Sequence, residues 1–371
     1  MTGAQLRLIL FSGLGSLPLH MSAVIAVSGV QHGFSATEAG ALMSACLAGL
    51  FAATTCRAFN VRLGGFAPRL SVLGIIQAAL LGIVPFWPPT VELPLWVAIG
   101  WVSGILMFEG MHAAATAQHR FVSFLVRLSF AMVLSATAAL GGAALPLPLF
   151  EGVCLMYAAL TLAVTLALMV GRSTPTLAAG SSATLLRRAF SVAVALALAP
   201  CVLFFCGTLM LVTHIVDLVA QGGALRASNL TALGWGKLLS SAVLGIVLVC
   251  LRGESRAKLV VSVVGVAAVL WLSQHAPVLP VAIFICAFEV GINVAGASFL
   301  GETARVGDAI IHRLMPMAAL LGVALGPAIG AQVLEGGGPD RLAQAGVVIM
   351  CGATLLLLAR NIHRRRRGAA A

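Results

Sequence analysis

The chain has 371 residues, 60% of them hydrophobic and only 9% charged, with a formal net charge of +11 and a mean hydropathy of +1.07. So few charges cannot cover a soluble domain of this length, and apolar runs of roughly twenty residues recur throughout, as in a multi-spanning helical membrane protein. The barrel-type alternation of apolar and polar residues is missing, and the basic residues sit between the apolar runs, which excludes a nucleic-acid partner as the reason for the charge.

Span 1 is expected from about Leu8 to Val30 and carries Pro18 and His20. Ser35 to Glu38 has the spacing of a capping box and predicts the start of span 2, which continues to about Ala58. The basic loop RAFNVRLGGFAPR leads to span 3, about Leu70 to Trp87, and the proline-rich FWPPTVELP separates it from span 4, about Leu95 to Ala117. Spans 5 and 6 cover about Phe121 to Leu145 and Leu149 to Gly171. Residues 172–188, rich in Ser, Thr, Pro and Gly, read as a linker.

Span 7 follows from about Ala189 to Val212, with Pro200 answering Pro18, and THIVDLVAQGGALRAS forms a loop. Spans 8 to 12 are expected at about Asn229–Leu251, Leu259–Leu272, Val278–Leu300, Leu314–Leu334 and Leu342–Ala359. The predicted fold is an all-α membrane protein of twelve transmembrane helices in two pseudo-symmetric six-helix bundles, residues 1–171 and 189–360, with a basic tail at 361–371. With loops taken on alternate sides, every Lys and Arg except Arg226, Arg341 and the in-span Lys237 falls on one side. That asymmetry places both termini in the cytoplasm and the chain in the cytoplasmic membrane, with the HRRRR tail against anionic lipid.

Polar groups within apolar spans mark candidate sites. Glu109 and His112 share a helix face in span 4, as do Glu289 and Asn293 in span 10, and the two glutamates lie 180 residues apart, about half the chain. An acid in such a place can load or release a proton when its access or partner changes. Lys237, in span 8, needs a counter-charge or an anionic ligand, and Glu289 is the expected internal partner; snorkelling to the interface is the bland reading. His20 is a further candidate. The alternative for the glutamates and for His20 is a satisfied packing residue. The eight cysteines have no metal-ligand spacing, and no nucleotide-binding pattern occurs, so no cofactor or metal is expected.

Twelve spans in two halves, a midpoint linker and a basic loop between spans 2 and 3 resemble the major facilitator superfamily. The loop after span 2 is similar to the family pattern G-x-x-x-D-R-x-G-R-R at Gly64, Gly65 and Arg69, although Asn60 or Val61 stands in the place of its Asp. Gly322-x-x-x-Gly326-Pro327-x-x-Gly330 in span 11 is similar to a glycine-proline motif that the family's drug–proton antiporters carry in span 5. The resemblance implies a monomeric secondary transporter, not an enzyme, moving a small organic molecule by alternating access around a midplane cavity. Spans 1, 4 and 10 would line that cavity. Coupling to protons is inferred from the buried acids, and efflux is expected ahead of uptake on family frequency. Two alternatives stay open: a transport-inactive sensor or assembly subunit of the same fold, and a membrane enzyme using Glu109 and His112 as an acid–base pair.

Overall fold

The computed structural model describes residues 3–31, 33–58, 69–87, 89–116, 120–169, 192–219, 227–250, 255–275, 281–304 and 309–369. Helix is the only repeating secondary structure among them. Seven helical stretches among them are long and apolar enough to cross a membrane; one, Gln5–Gly29, runs across a helix break, and another, Leu314–His363, contains two of the predicted spans. Gly64, the linker at 172–188 and the loop at 251–254 lie outside the described residues.

Span 1 is two helices rather than one. Helix α1 (Gly3–Gly15) stops at Ser16 and α2 (Leu17–Gln31) resumes at once. Pro18 explains the break: its ring nitrogen has no hydrogen to give the Leu14 carbonyl four residues back. The Gln77 side chain donates to that carbonyl instead, at 3.2 Å, from α4 (Leu70–Ile83) of span 3. A fully buried glutamine therefore satisfies the carbonyl that proline leaves open.

Helix α3 (Ala36–Ala58) opens with the predicted capping box: the Glu38 N–H donates to Ser35 Oγ at 3.1 Å, and the Ser35 N–H donates to Glu38 Oε2 at 2.8 Å. Helices α5 (Pro89–Thr116), α6 (Arg120–Ala144) and α7 (Leu149–Met169) complete spans 4 to 6. Helix α8 (Val192–Thr213) is span 7. The loop expected after it begins instead as a short helix, α9 (Ile215–Val219), with Ile215, Val216, Leu218 and Val219 all buried. Helices α10 (Ala227–Cys250), α11 (Ser255–His275) and α12 (Val281–Ala304) follow. The last, α13 (Ala309–Ala369), is interrupted at Gly338, where φ is +74°, a conformation open to glycine and strained for other residues. Its two arms are spans 11 and 12.

Glycines set which helices touch, because they allow backbones to close on one another. A Cβ on Gly104 would lie 2.5 Å from the Leu50 carbonyl oxygen, so α3 and α5 pack tightly; Gly49 meets Val97, and Gly100 meets Cys46, along the same seam. On the other side of the fold, a Cβ on Gly326 would lie 2.7 Å from Leu209 Cβ and one on Gly330 3.1 Å from His214 Cδ2, fixing α13 against α8; Gly322 meets Val202 on that seam. The first six spans meet the last six chiefly along two helix pairs, α3 with α13 and α6 with α10, and α2 also touches α8 and α10. The core running between them is continuous, joining Met21, Leu47 and Trp96 to Phe204, Phe288 and Phe299.

Candidate functional site

Helices α10 and α12 approach closely at Gly236, where a Cβ would lie 2.6 Å from Ile285 Cγ2 and 2.9 Å from the Ala282 carbonyl oxygen. That contact turns the next residue, Lys237, toward α12 one turn beyond Ile285. Lys237 Nζ donates to Glu289 Oε1 at 2.6 Å, with the lysine side chain 0% and the glutamate 2% exposed. Lys237 therefore does not snorkel to an interface.

Asn293, one turn further along α12, donates from Nδ2 to the Glu289 backbone carbonyl at 2.7 Å and to Glu289 Oε2 at 3.4 Å. Both carboxylate oxygens thus have donors. Ser240 Oγ donates to the Lys237 carbonyl at 2.8 Å, stiffening the turn that carries the lysine. A buried pair held this way is stable only while both charges are present, since either one alone would stand in a low-dielectric interior.

His20, on α2, is 6% exposed, and its Nε2 has no hydrogen-bond partner. The charges that act on it are Lys237 and Arg127. Its backbone is fixed by a hydroxyl relay: Ser135 Oγ donates to the His20 carbonyl at 2.9 Å, which leaves the Tyr157 hydroxyl, 2.8 Å away, to donate to Ser135 Oγ. Spans 1, 5 and 6 are joined at this level.

Arg127 belongs by charge pattern among the loop cations, but it lies inside α6 and is 5% exposed. Nothing in RFVSFLVRLSF distinguishes a buried arginine from one in a loop. Glu109 and His112 lie on α5, and their side chains, like those of Arg364 to Arg367, are outside the described residues. Arg69 is exposed and precedes α4 with an extended backbone. Gly322, Gly326 and Gly330 line the α8–α13 seam, and the Pro327 carbonyl faces Gly40 of α3. The glycine-proline motif is therefore a packing element touching both halves.

Two polar clusters have no signal in the sequence. At one end of the bundle, His214, between α8 and α9, has Nδ1 3.4 Å from Asp217 Oδ2 and Nε2 3.4 Å from the Pro327 carbonyl. Nearby, Ser44 Oγ accepts from the Ala328 N–H at 3.0 Å. Toward the other end, Arg256 Nε donates to Glu302 Oε2 at 3.1 Å, and Asn361 Nδ2 donates to the Glu302 carbonyl at 3.2 Å. Glu302 is 0% exposed, so span 10 is tied to spans 9 and 12 through a buried carboxylate.

No family model matches the sequence. No curated protein matches it either. Solved structures do share its architecture. A structure described as giving insight into substrate recognition in proton-dependent oligopeptide transporters superposes with a TM-score of 0.68 at 14% identity, covering 98% of this chain and 99% of that one. A point mutant of the nucleoside transporter NupG gives 0.63 at 13% identity over 96% and 98%. A bacterial homolog of the human lysosomal transporter Spinster, in an inward-facing and occupied conformation, gives 0.61 at 14% identity over 96% and 95%. Agreement over nearly the full length of three transporters, at identities too low to carry more than architecture, establishes that the chain has the major facilitator fold.

Proposed function

We propose that the chain is a secondary active transporter that moves a small organic solute by alternating access and couples it to protons through Glu289. The observation that carries this reading is the buried pair of Lys237 and Glu289 at 2.6 Å, set on two different spans and braced by Asn293. The pair lies in the second half beside the packing of α10 on α6 of the first half, so rocking of the halves changes the surroundings of this acid and hence its proton affinity. The first six and last six spans, residues 1–171 and 189–360, are the two bodies that rock, with residues 172–188 linking them and residues 361–371 as a tail. Both termini lie in the cytoplasm and the chain resides in the cytoplasmic membrane. Glu109, in the matching place of the first half, is a second coupling acid, with His112 beside it on the same face.

Binding the solute at the midplane, between the halves, makes the cavity accessible from one side at a time. Efflux results if solute and proton exchange under an inward proton gradient, and uptake if they travel together. The test is purified protein in liposomes loaded with a pH dye, with wild type beside Glu289→Gln and Glu109→Gln. Solute-dependent proton flux in wild type and its disappearance in Glu289→Gln is the expected result. Solute flux of the same size in all three, with no proton movement, would return both glutamates to structural roles.

A further inference from the structure

Lys237 and Glu289 compensate each other's charge at 2.6 Å, and this sets a condition on whatever binds there. If Glu289 takes up a proton, Lys237 is left as a buried cation with no counter-charge, a costly state. The state becomes accessible when a second anion takes the carboxylate's place on Nζ. His20, on α2, supplies an independent sign of such a ligand: it is more than nine-tenths buried, its Nε2 has no hydrogen-bond partner, and the charges of Lys237 and Arg127 both act on it. In the tautomer that carries its proton on Nε2, this buried nitrogen can donate to an oxygen of a ligand.

Building on the proton-coupled reading above, we infer that the solute is a small organic anion whose oxyanion group binds Lys237 Nζ and accepts a hydrogen bond from His20 Nε2, and that it travels with one proton carried on Glu289. Charges balance through the cycle. In the empty carrier, Lys237 is cationic and Glu289 anionic. In the loaded carrier, a proton from the bulk neutralises the Glu289 carboxylate, the anion replaces it on Lys237, and no bond other than O–H is made or broken. A bound proton without the anion, or an anion without the proton, leaves a net buried charge, and such half-loaded carriers do not reorient. Asn293, which donates to Glu289 Oε2, continues to hold the side chain as Lys237 releases it. Proton and anion then move in the same direction, which under an inward proton gradient gives uptake of the anion rather than the efflux expected from family frequency.

A carboxylate and the monoanion of a phosphate monoester each bring one negative charge to Lys237, so the probes, used below the second phosphate pKa of about 6, separate them: lactate with its uncharged counterpart lactamide, and glycerol 3-phosphate with glycerol, plus tetraphenylphosphonium as an organic cation. Wild-type proteoliposomes, corrected for protein-free liposomes, should move protons with lactate or glycerol 3-phosphate and with none of the other three. Glu289→Gln should lose net flux but retain exchange of labelled anion across the membrane, now independent of pH, because the anion-loaded form stays compensated while the empty form does not. That retained exchange also demonstrates folding. Lys237→Met should lower both activities by roughly 30-fold or more, the scale for removing one member of a buried, hydrogen-bonded charge pair, and Lys237→Arg should recover part of the loss. Proton movement driven by lactamide, glycerol or tetraphenylphosphonium would overturn the anion while leaving the proton coupling intact. Anion flux without protons, unchanged in Glu289→Gln, would overturn the coupling itself. Neither flux nor exchange of either anion by wild type would overturn the inference as well.

Discussion

Glu335 caps the first turn of a helix far back in the chain: its Oε1 accepts, at 2.8 Å, the backbone N–H of Thr37, 298 residues earlier. Thr37 is the second residue of α3, so its N–H has no partner inside that helix, and a carboxylate there also meets the positive end of the helix dipole. Ser35 satisfies the Glu38 N–H of the same turn. The contact joins the first half of the fold to the second at the end that carries Gly33 and Gly338, beside the packing of Gly40 on Pro327.

This cap is sensitive to acid. Glu335 is fully exposed, just past the end of span 11, and the Thr37 side chain and then its backbone hold its carboxyl below the ordinary range. A carboxyl lowered in the folded protein contributes stability above its ordinary pKa and loses it as the pH falls through the lowered value. Protonation of Glu335 should therefore release the Thr37 N–H. Hydrogen–deuterium exchange at residues 36–39, corrected for intrinsic rates, is expected to rise as the pH falls through the carboxylate range in wild type. In Glu335→Gln it should be raised already at neutral pH and depend less on acid. Protection in the variant identical to wild type at neutral pH would show that the cap is not holding the two halves.

Much of the fold is legible in the sequence because the bilayer imposes one simple rule, long apolar runs, and because caps are local. Ser35 and Glu38 lie three residues apart and mark their own helix. The partnership of Lys237 and Glu289 is also legible, since a buried lysine must find a counter-charge and mid-span acids are few. The division of span 1 at Ser16 is not, because Pro18 signals a break but not the Gln77 side chain that repairs it. Arg127 is hidden for a different reason: a cation near the start of a span satisfies the same charge count whether it faces water or the protein interior. The bonds from Glu335 to Thr37 and from Arg256 to Glu302 join residues whose proximity depends on helix packing, on which local pattern is silent.

The capping box gives a modest and separable prediction. Ser35→Ala leaves the Glu38 N–H without its cap and should cost about 1 kcal/mol. Thermal unfolding in detergent should register a small drop in Tm that Ser35→Asp largely restores. A Ser35→Ala variant as stable as wild type would mean that water replaces the serine hydroxyl without loss.

Gly326 tests whether the α8–α13 seam governs function. Because a Cβ there would lie 2.7 Å from Leu209 Cβ and 2.8 Å from the Cys206 carbonyl oxygen, a valine must push the helices apart. Overpacking of this kind costs about 1–3 kcal/mol. Gly326→Val should lower Tm and slow transport together, whereas Gly352→Ala, with open space around its Cβ, should change neither. Unaltered transport kinetics in Gly326→Val would remove the seam from the list of moving parts.

The Lys237–Glu289 pair should behave as a unit in stability as well as in transport. Lys237→Met or Glu289→Met alone strands one charge in the interior, and the expected loss is about 3–5 kcal/mol for either. The double variant removes both charges and fills the site with flexible apolar side chains, so it should recover most of that loss and can equal wild type. A double-mutant cycle from denaturation midpoints in detergent measures the difference directly: strong non-additivity is expected for groups 2.6 Å apart, and additive losses would mean that the two side chains are stabilised by other neighbours. The same double variant should be inactive in transport despite its stability, because a compensated but uncharged site can hold neither the proton nor the solute's counter-charge. Stability retained with transport lost would separate the pair's role in the cycle from its role in the fold.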